Sequence, residues 1–345
     1  MRGLSVFAAV CIIAFSASAF AKATDFEDTI PAHVLNDHED RFFTLTIEND
    51  FFGSGTDQQY TNGVRGTWYD TGHESPMAAQ WIASLVPTFE VNETTSTYYS
   101  VGHNLYTPRN TSLRQPDPND RPYAAFLYGS AGMTSITDDH LDDIEITLGV
   151  VGPMALGEEI QSGFHDLINS YDPKGWDAQL ENEPGLMLSW QRSWPEFYAG
   201  RWGDSLYTRL TPHIGTTVGN IYTYANTGFT VQLMPHADRW QSEPLHVRPT
   251  ISGSGFFARP QNTWSWMLFA GLDGRAVARD IFLDGNSFRD SPSVDKKHFV
   301  ADANAGIAFT YGATRISYTL NWRSKEFHGQ DKSHIFGAIS LGYRF

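Results

Sequence analysis

Apolar and polar side chains alternate along segment after segment of this chain. In the last segment Ile335, Gly337, Ile339, Leu341, Tyr343 and Phe345 share one face, while Phe336, Ala338, Ser340, Gly342 and Arg344 share the other. A strand sends neighbouring side chains to opposite faces, so such a segment has one greasy face and one small or polar face. Comparable runs cover residues 41–50, 60–69, 97–106, 123–134, 143–151, 185–194, 206–218, 221–234, 264–283, 296–311 and 314–327. With 335–345 they make twelve. Val247 to Ala258 is a weaker candidate, and its Pro249 and Ser/Gly-rich middle argue against a spanning strand. An even count also suits a bacterial single-chain barrel. The pattern predicts an all-β fold: a transmembrane antiparallel β-barrel of about 12 strands, apolar side outward. Gly219-Asn220 and Gly312-Ala313 predict tight turns, both assigned to the periplasmic rim.

One stretch has a different period. In Gly157 to Ser170, Ile160, Phe164, Leu167 and Ile168 recur at helical spacing, and Gln161 and His165 lie one turn apart elsewhere on the wheel. Asp172-Pro173 ends the pattern. This predicts a short helix in an extracellular loop, with its apolar stripe against the barrel rim and its polar side toward a cleft.

The first residues add a compartment. Arg2, the short apolar run Leu4–Phe15 and the small-x-small site Ala19-Phe20-Ala21 read as a signal peptide over 1–21, leaving a single barrel domain over 22–345. Cys11, the one cysteine, falls in that signal, so the mature chain has no disulfide and no thiolate site. The formal charge is −15, and −16 once Arg2 is removed, which disfavours nucleic acid as a partner. Aromatic residues make up 14 %, with many Tyr and Trp of the kind that settle at bilayer interfaces.

Candidate chemistry gathers at one rim. Glu48-Asn49-Asp50 closes the first strand and Tyr60-Thr61-Asn62-Gly63 opens the second. The fifth strand ends at the same rim, and the helix with His165 follows. Asn49, Asp50, Thr61 and His165 therefore converge by topology, on strand ends expected to point inward. A neutral imidazole can take a proton from water, and an Asp with amide or main-chain oxygens can hold a hard cation such as Ca²⁺. Such a cation stabilises an ester oxyanion. No G-x-S-x-G elbow and no H-E-x-x-H zinc motif is present. The plainer alternatives stay open: an Asn-Asp pair that bonds its own backbone in a turn, and an ordinary helix histidine.

These segments resemble the lipid A 3′-O-deacylase family of outer-membrane enzymes. The resemblance lies in END-FFGSGTDQQ-YTNG, LYTPRN, NDRPYAAFLYG, LGVVGPMALGEEIQSGFHDLIN, GWDAQLENEPG and the late KEF, and runs from about residue 41 to the end. It implies a twelve-stranded barrel with its site between the barrel wall and a helical extracellular loop. It also implies cleavage of the 3′-linked acyloxyacyl ester of lipid A by His-activated water with Ca²⁺ receiving the oxyanion. By motif, His165 matches the general base, Asn49 and Asp50 the strand-end pair and metal ligands, Thr61 the threonine of the Tyr-Thr motif, and Gln161 the glutamine one turn before the histidine. Two positions depart from the family. No lysine lies between Arg109 and Arg114, so Arg114 is the candidate phosphate or oxyanion partner, and Tyr171 with Asp172 stands where the family has an acidic residue.

The expectation is therefore an integral outer-membrane carboxylic ester hydrolase. It is a monomer whose substrate is lipid A or lipopolysaccharide and whose site faces the outer leaflet. The competing readings are a non-enzymatic porin or lipid-A-binding barrel, and a broader phospholipase.

Overall fold

A computed structural model describes most of residues 41–345; residues 1–40, 54–58, 71–82, 169–172 and 248–254 and a few single loop positions lie outside the described residues. The signal peptide, Tyr171 and Asp172 fall among those outside. Thirteen strands are described: β1 (Arg41–Asn49), β2 (Gln59–Asp70), β3 (Ser96–Thr107), β4 (Ala124–Ile136), β5 (Leu141–Val151), β6 (Glu183–Ser193), β7 (Tyr198–Trp202), β8 (Leu206–Gly219), β9 (Tyr222–Pro235), β10 (Trp264–Asp280), β11 (Phe299–Tyr311), β12 (Thr314–Arg323) and β13 (His334–Arg344). The helix α1 (Gly157–Ile168) follows β5, and the single turn α2 (Ile281–Asp284) follows β10.

Every strand pairs antiparallel with its neighbours, β1 with β13 and β6 with β8, so the sheet closes on itself. The thirteenth strand is not the weak 247–258 candidate. It is β7, which pairs with the lower half of β8 while β6 pairs with the upper half. β6 and β7 run the same way and are parted where Pro195 faces the Pro212 region: Trp194 N–H reaches the Pro212 carbonyl at 3.0 Å. Two prolines, each lacking an N–H, interrupt one stave without removing it. The wall thus has twelve positions, as the alternation predicts.

Burial follows the alternation. In β13 Ile339, Leu341 and Tyr343 are exposed on the outside while Phe336, Ser340 and Arg344 are buried inside. The same belt includes Val101, Leu148 and Val218. Among the described residues no helix is long and apolar enough to cross a membrane; the strands carry the outward apolar surface. The two tight turns sit at opposite rims. β8 runs toward the rim where β1 ends, so Asn220-Ile221 lies there, whereas Gly312-Ala313 lies at the other rim. Turn tightness alone does not report the side, because it depends only on strand register. Below, the rim where β1 ends is called the upper rim.

The lumen is packed along its length. Near the upper rim Tyr60, Tyr106, Phe126, Tyr128, Phe282 and Phe336 form an aromatic layer, with Tyr106 and Phe282 stacked at 4.0 Å. Arg121 and Glu326 come in from loops, and Arg323 bridges Glu326 to Asp302. Burial alone would raise the Glu326 carboxyl, but Arg323 and Arg121 hold it below the usual carboxylate range, so it stays charged. In mid-lumen Arg65 pairs with Glu145 at 2.6 Å, both almost fully buried. From the lower rim the segment between β9 and β10 turns inward. Its carbonyls accept from lumen side chains: Ser242 from Arg315 at 2.7 Å, Phe257 from Arg344 at 2.7 Å and Val247 from Tyr128 at 2.7 Å. Irregular backbone is thus satisfied inside protein rather than in lipid. Of the weak 247–258 candidate, the described Val247 and Phe257 contribute to this filling; 248–254 lie outside the described residues.

Arg65→Met leaves Glu145 as an uncompensated buried charge and is expected to lower the unfolding free energy by roughly 3–5 kcal/mol. The double variant Arg65→Met/Glu145→Leu is expected to recover most of that loss. Urea unfolding in lipid vesicles measures both.

Candidate active site

β1 sends Glu48 into the lumen, so Asn49 faces outward. The Asn49 side chain accepts from Phe51 N–H at 2.8 Å and caps the tight turn Asp50–Phe52. The turn-forming alternative raised by the sequence is therefore what Asn49 does, and the turn it forms carries Asp50. Phe52 lies over Gly337 of β13, and a Cβ on Gly53 would come within 2.7 Å of the Phe336 backbone. The Phe52 carbonyl also accepts from Tyr318 Oη at 2.8 Å. This close seating leaves Asp50 only 1 % exposed.

Thr61 owes its direction to a bulge. The β2–β3 register shifts between Tyr60 and Asn62, so Tyr60 stays in the lumen and Thr61 turns outward. Its hydroxyl meets that of Thr107 at 2.6 Å. Thr107 alternates with Tyr99 and Val101, which are exposed on the outer wall. The sequence expectation that these strand-end groups point inward is thus corrected: Asn49, Thr61 and Thr107 lie on the outer face. The lumen positions beside them are filled by Glu48, Tyr60 and Tyr106.

Polar groups on a lipid-facing wall need a cover, and the β5–β6 loop supplies it. Leu105, Tyr123, Ala125, Ala155 and Trp176 form one buried cluster between the outer wall and this loop. His103, also outward on β3, donates from Nε2 to the Ala155 carbonyl at 2.7 Å. α1 then runs over β4. Its first residue must be glycine, because a Cβ on Gly157 would lie 2.6 Å from Ala125 Cβ and from the Trp176 ring.

One described residue of the α1 stripe departs from the expected orientation. Gln161 and His165 are buried at 2 % and 4 %, whereas Ile160, the first residue of the apolar stripe, is 42 % exposed. The side chains of Phe164, Leu167 and Ile168 lie outside the described residues. An apolar side chain facing hydrocarbon costs little, while Gln161 there would have no partner. Gln161 instead accepts from Trp176 Nε1 at 2.9 Å. An indole can only donate, so this bond assigns Oε1 to the Trp176 side and leaves Nε2 as the donor on the other. Gln161 Nε2 is buried without a hydrogen-bond partner.

The structure therefore places Thr61, Gln161 and His165, and the turn that carries Asp50, at the outer face of the upper rim, with all four side chains nearly fully buried. Arg114 is placed differently: it is exposed on the β3–β4 loop, beside Leu113, whose carbonyl approaches Gly175. Sequence reasoning assigned no role to Thr107, His103 or Trp176. Trp176 and Thr107 stand inside quoted motifs, W-x-x-Q and Tyr-Thr-Pro, but nothing in those spacings says what they touch. For a metal, Asp50 offers one buried carboxylate in the turn that the Asn49 amide caps. Among the described residues no group of three His, Cys, Asp or Glu assembles. A cation held by Asp50 would thus meet few protein charges, which disfavours a zinc site of His and Cys ligands.

A closed antiparallel barrel with an apolar outer belt is of the outer-membrane β-barrel class. The sequence model of outer membrane protein LpxR matches residues 6–345, and the chain belongs to that family, the outer-membrane lipid A deacylases. The structure of LpxR from Salmonella typhimurium superposes with a TM-score of 0.70 at 19 % identity, covering 88 % of this chain and 100 % of that one. The β-domain of the Bordetella autotransporter Brka gives 0.39 at 9 % identity, over 88 % of this chain and 98 % of that one. No curated protein sequence matches.

Trp176→Phe keeps an aromatic ring, smaller than the indole, and removes the donor that fixes Gln161. A loss of about 1–3 kcal/mol in stability is expected from the unsatisfied amide, together with a fall in kcat. Urea unfolding and turnover of lipid A measure the two effects.

Proposed function

We propose that this protein hydrolyses the 3′-linked acyloxyacyl ester of lipid A, at a site open to the outer leaflet of the outer membrane. The observation that carries this reading is the placement of a buried His165–Gln161 pair and a buried Asp50 on the lipid side of the barrel wall. A lumen site would serve a water-soluble substrate. A wall site serves one whose acyl chains stay in the bilayer.

In this reading His165 takes a proton from water as the water oxygen adds to the ester carbonyl. The proton then passes from the imidazolium to the departing sugar hydroxyl. Gln161 Nε2, fixed by Trp176, donates to the attacking water or to the carbonyl oxygen. Thr61, paired with Thr107, and Asn49, which shapes the Asp50 turn, position the reacting groups. Asp50 would hold Ca²⁺, with the second lone pair of the Asn49 carbonyl available beside it. When bound, Ca²⁺ supplies positive charge for the oxyanion. Arg114, on the exposed loop, suits a phosphate of the headgroup.

The filled lumen favours this reading over a porin. A broader phospholipase shares the chemistry and differs only in substrate. The monomer suffices for the site, since every group named comes from one chain.

Lipid A from cells expressing the wild type is expected to lose the 3′ acyloxyacyl mass, and His165→Ala is expected to abolish that change, a loss of about 10²–10⁴-fold in rate. Equal acylation in both strains would overturn the reading. Release of fatty acid from phosphatidylethanolamine vesicles at a comparable rate would convert it to a phospholipase. Excess EDTA is expected to stop turnover and Ca²⁺ at roughly 10⁻⁴–10⁻³ M to restore it, because few protein charges hold the ion. Full turnover in EDTA would remove the metal and leave the imidazole chemistry.

A further inference from the structure

Glu48 is the last lumen-facing residue of β1 before the chain leaves the ladder for the Asp50 turn. It is fully buried. Across the sheet its neighbours are Gly63 on β2 and Ala338 on β13, neither of which offers a side chain that could hold a carboxylate. Its partners are the Tyr60 hydroxyl, which reaches across from β2 over Gly63, and the segment that fills the lumen. Glu48 Oε1 accepts from Val247 N–H at 3.0 Å and lies 3.2 Å from His246 Nδ1. The Val247 carbonyl in turn accepts from Tyr128 Oη of β4 at 2.7 Å. Gly63 leaves room for this: a Cβ there would overlap the Tyr60 hydroxyl and come within 2.8 Å of Val247 Cγ1.

Val247 is thus held by both its N–H and its carbonyl, between β1 and β4. The four staves it spans, β1 to β4, carry on their other side the Asp50 turn, Thr61, Thr107 and the Ala125 seat of α1. We infer that Glu48 is a positioning residue for the hydrolytic site, and that the inserted segment acts through it as a strut behind the wall. Fixing Glu48 fixes where β1 ends, and so where Asn49 and Asp50 begin their turn. A buried charged acceptor on a main-chain N–H gives a firm anchor. A shift of about 1 Å in a reacting group is enough to slow catalysis substantially. This inference rests on the reading that the Asp50–His165 group is the hydrolytic site.

The experiment compares Glu48→Ala, Glu48→Gln and Tyr128→Phe with Arg209→Gln, which cuts a different tether of the same segment, the bond from Arg209 to the Gln241 carbonyl. Hydrogen exchange of residues 49–53 in purified, folded protein is read alongside kcat and KM on lipid A. Glu48→Ala is expected to release protection of Phe51 and Gly53 and to lower kcat roughly tenfold with little change in KM. Glu48→Gln, which keeps an acceptor for Val247 N–H, is expected to restore most of both. Unchanged exchange at 49–53 in Glu48→Ala would overturn the inference, and so would equal loosening in Arg209→Gln. Should Glu48→Ala not fold, Tyr128→Phe decides: it is expected to loosen 49–53, and unchanged protection there overturns the strut. A wild type inactive on lipid A would refute the functional reading, while the exchange contrast would still decide this one.

Discussion

Everything in this molecule answers to one constraint: in hydrocarbon no backbone N–H or carbonyl can be left to water. Closing the sheet satisfies the main chain, and the price is that each strand must keep a strict two-residue alternation through the bilayer. That alternation makes the outside apolar and confines polar groups to the lumen, where they pair or bond to inserted backbone. A site that acts on a membrane lipid needs polar groups on the forbidden side. The β2 bulge turns Thr61 outward, and the β5–β6 loop then shields what it has turned.

The shield obeys the same rule. Trp176, Ala155 and Gly157 bring the loop against the wall closely enough to exclude lipid, and α1 turns Gln161 and His165 inward. Behind the wall, the lumen is occupied by aromatic rings, ion pairs and a segment of chain. A barrel wall one residue thick has no depth of its own. Its rigidity at the site comes from what is packed against it on both faces.

Much of this was legible in the sequence because period two is a local property. Strand positions such as 97–106 and 335–345 follow from alternation, and the helix from the spacing of Ile160, Phe164, Leu167 and Ile168. Directions were less legible. A bulge at Thr61 adds one residue without changing composition, yet it reverses which face the hydroxyl joins. The helix has two faces, and only knowledge of the surrounding solvent says which one is buried. The break at Pro195 and the partnership of Trp176 with Gln161 depend on register between distant segments, which no window of sequence contains.

The outward Ile160 and the buried Gln161 and His165 of α1 also bear on timing. In water, α1 would have little reason to hide Gln161 and His165 while leaving Ile160 outside, because there the exposed apolar residue and the buried amide would both oppose docking. Hydrocarbon removes that opposition. The packing of Gln161 and His165 against the wall is therefore one that hydrocarbon favours and water does not, so a chain still travelling to its membrane lacks the surroundings that hold α1 down.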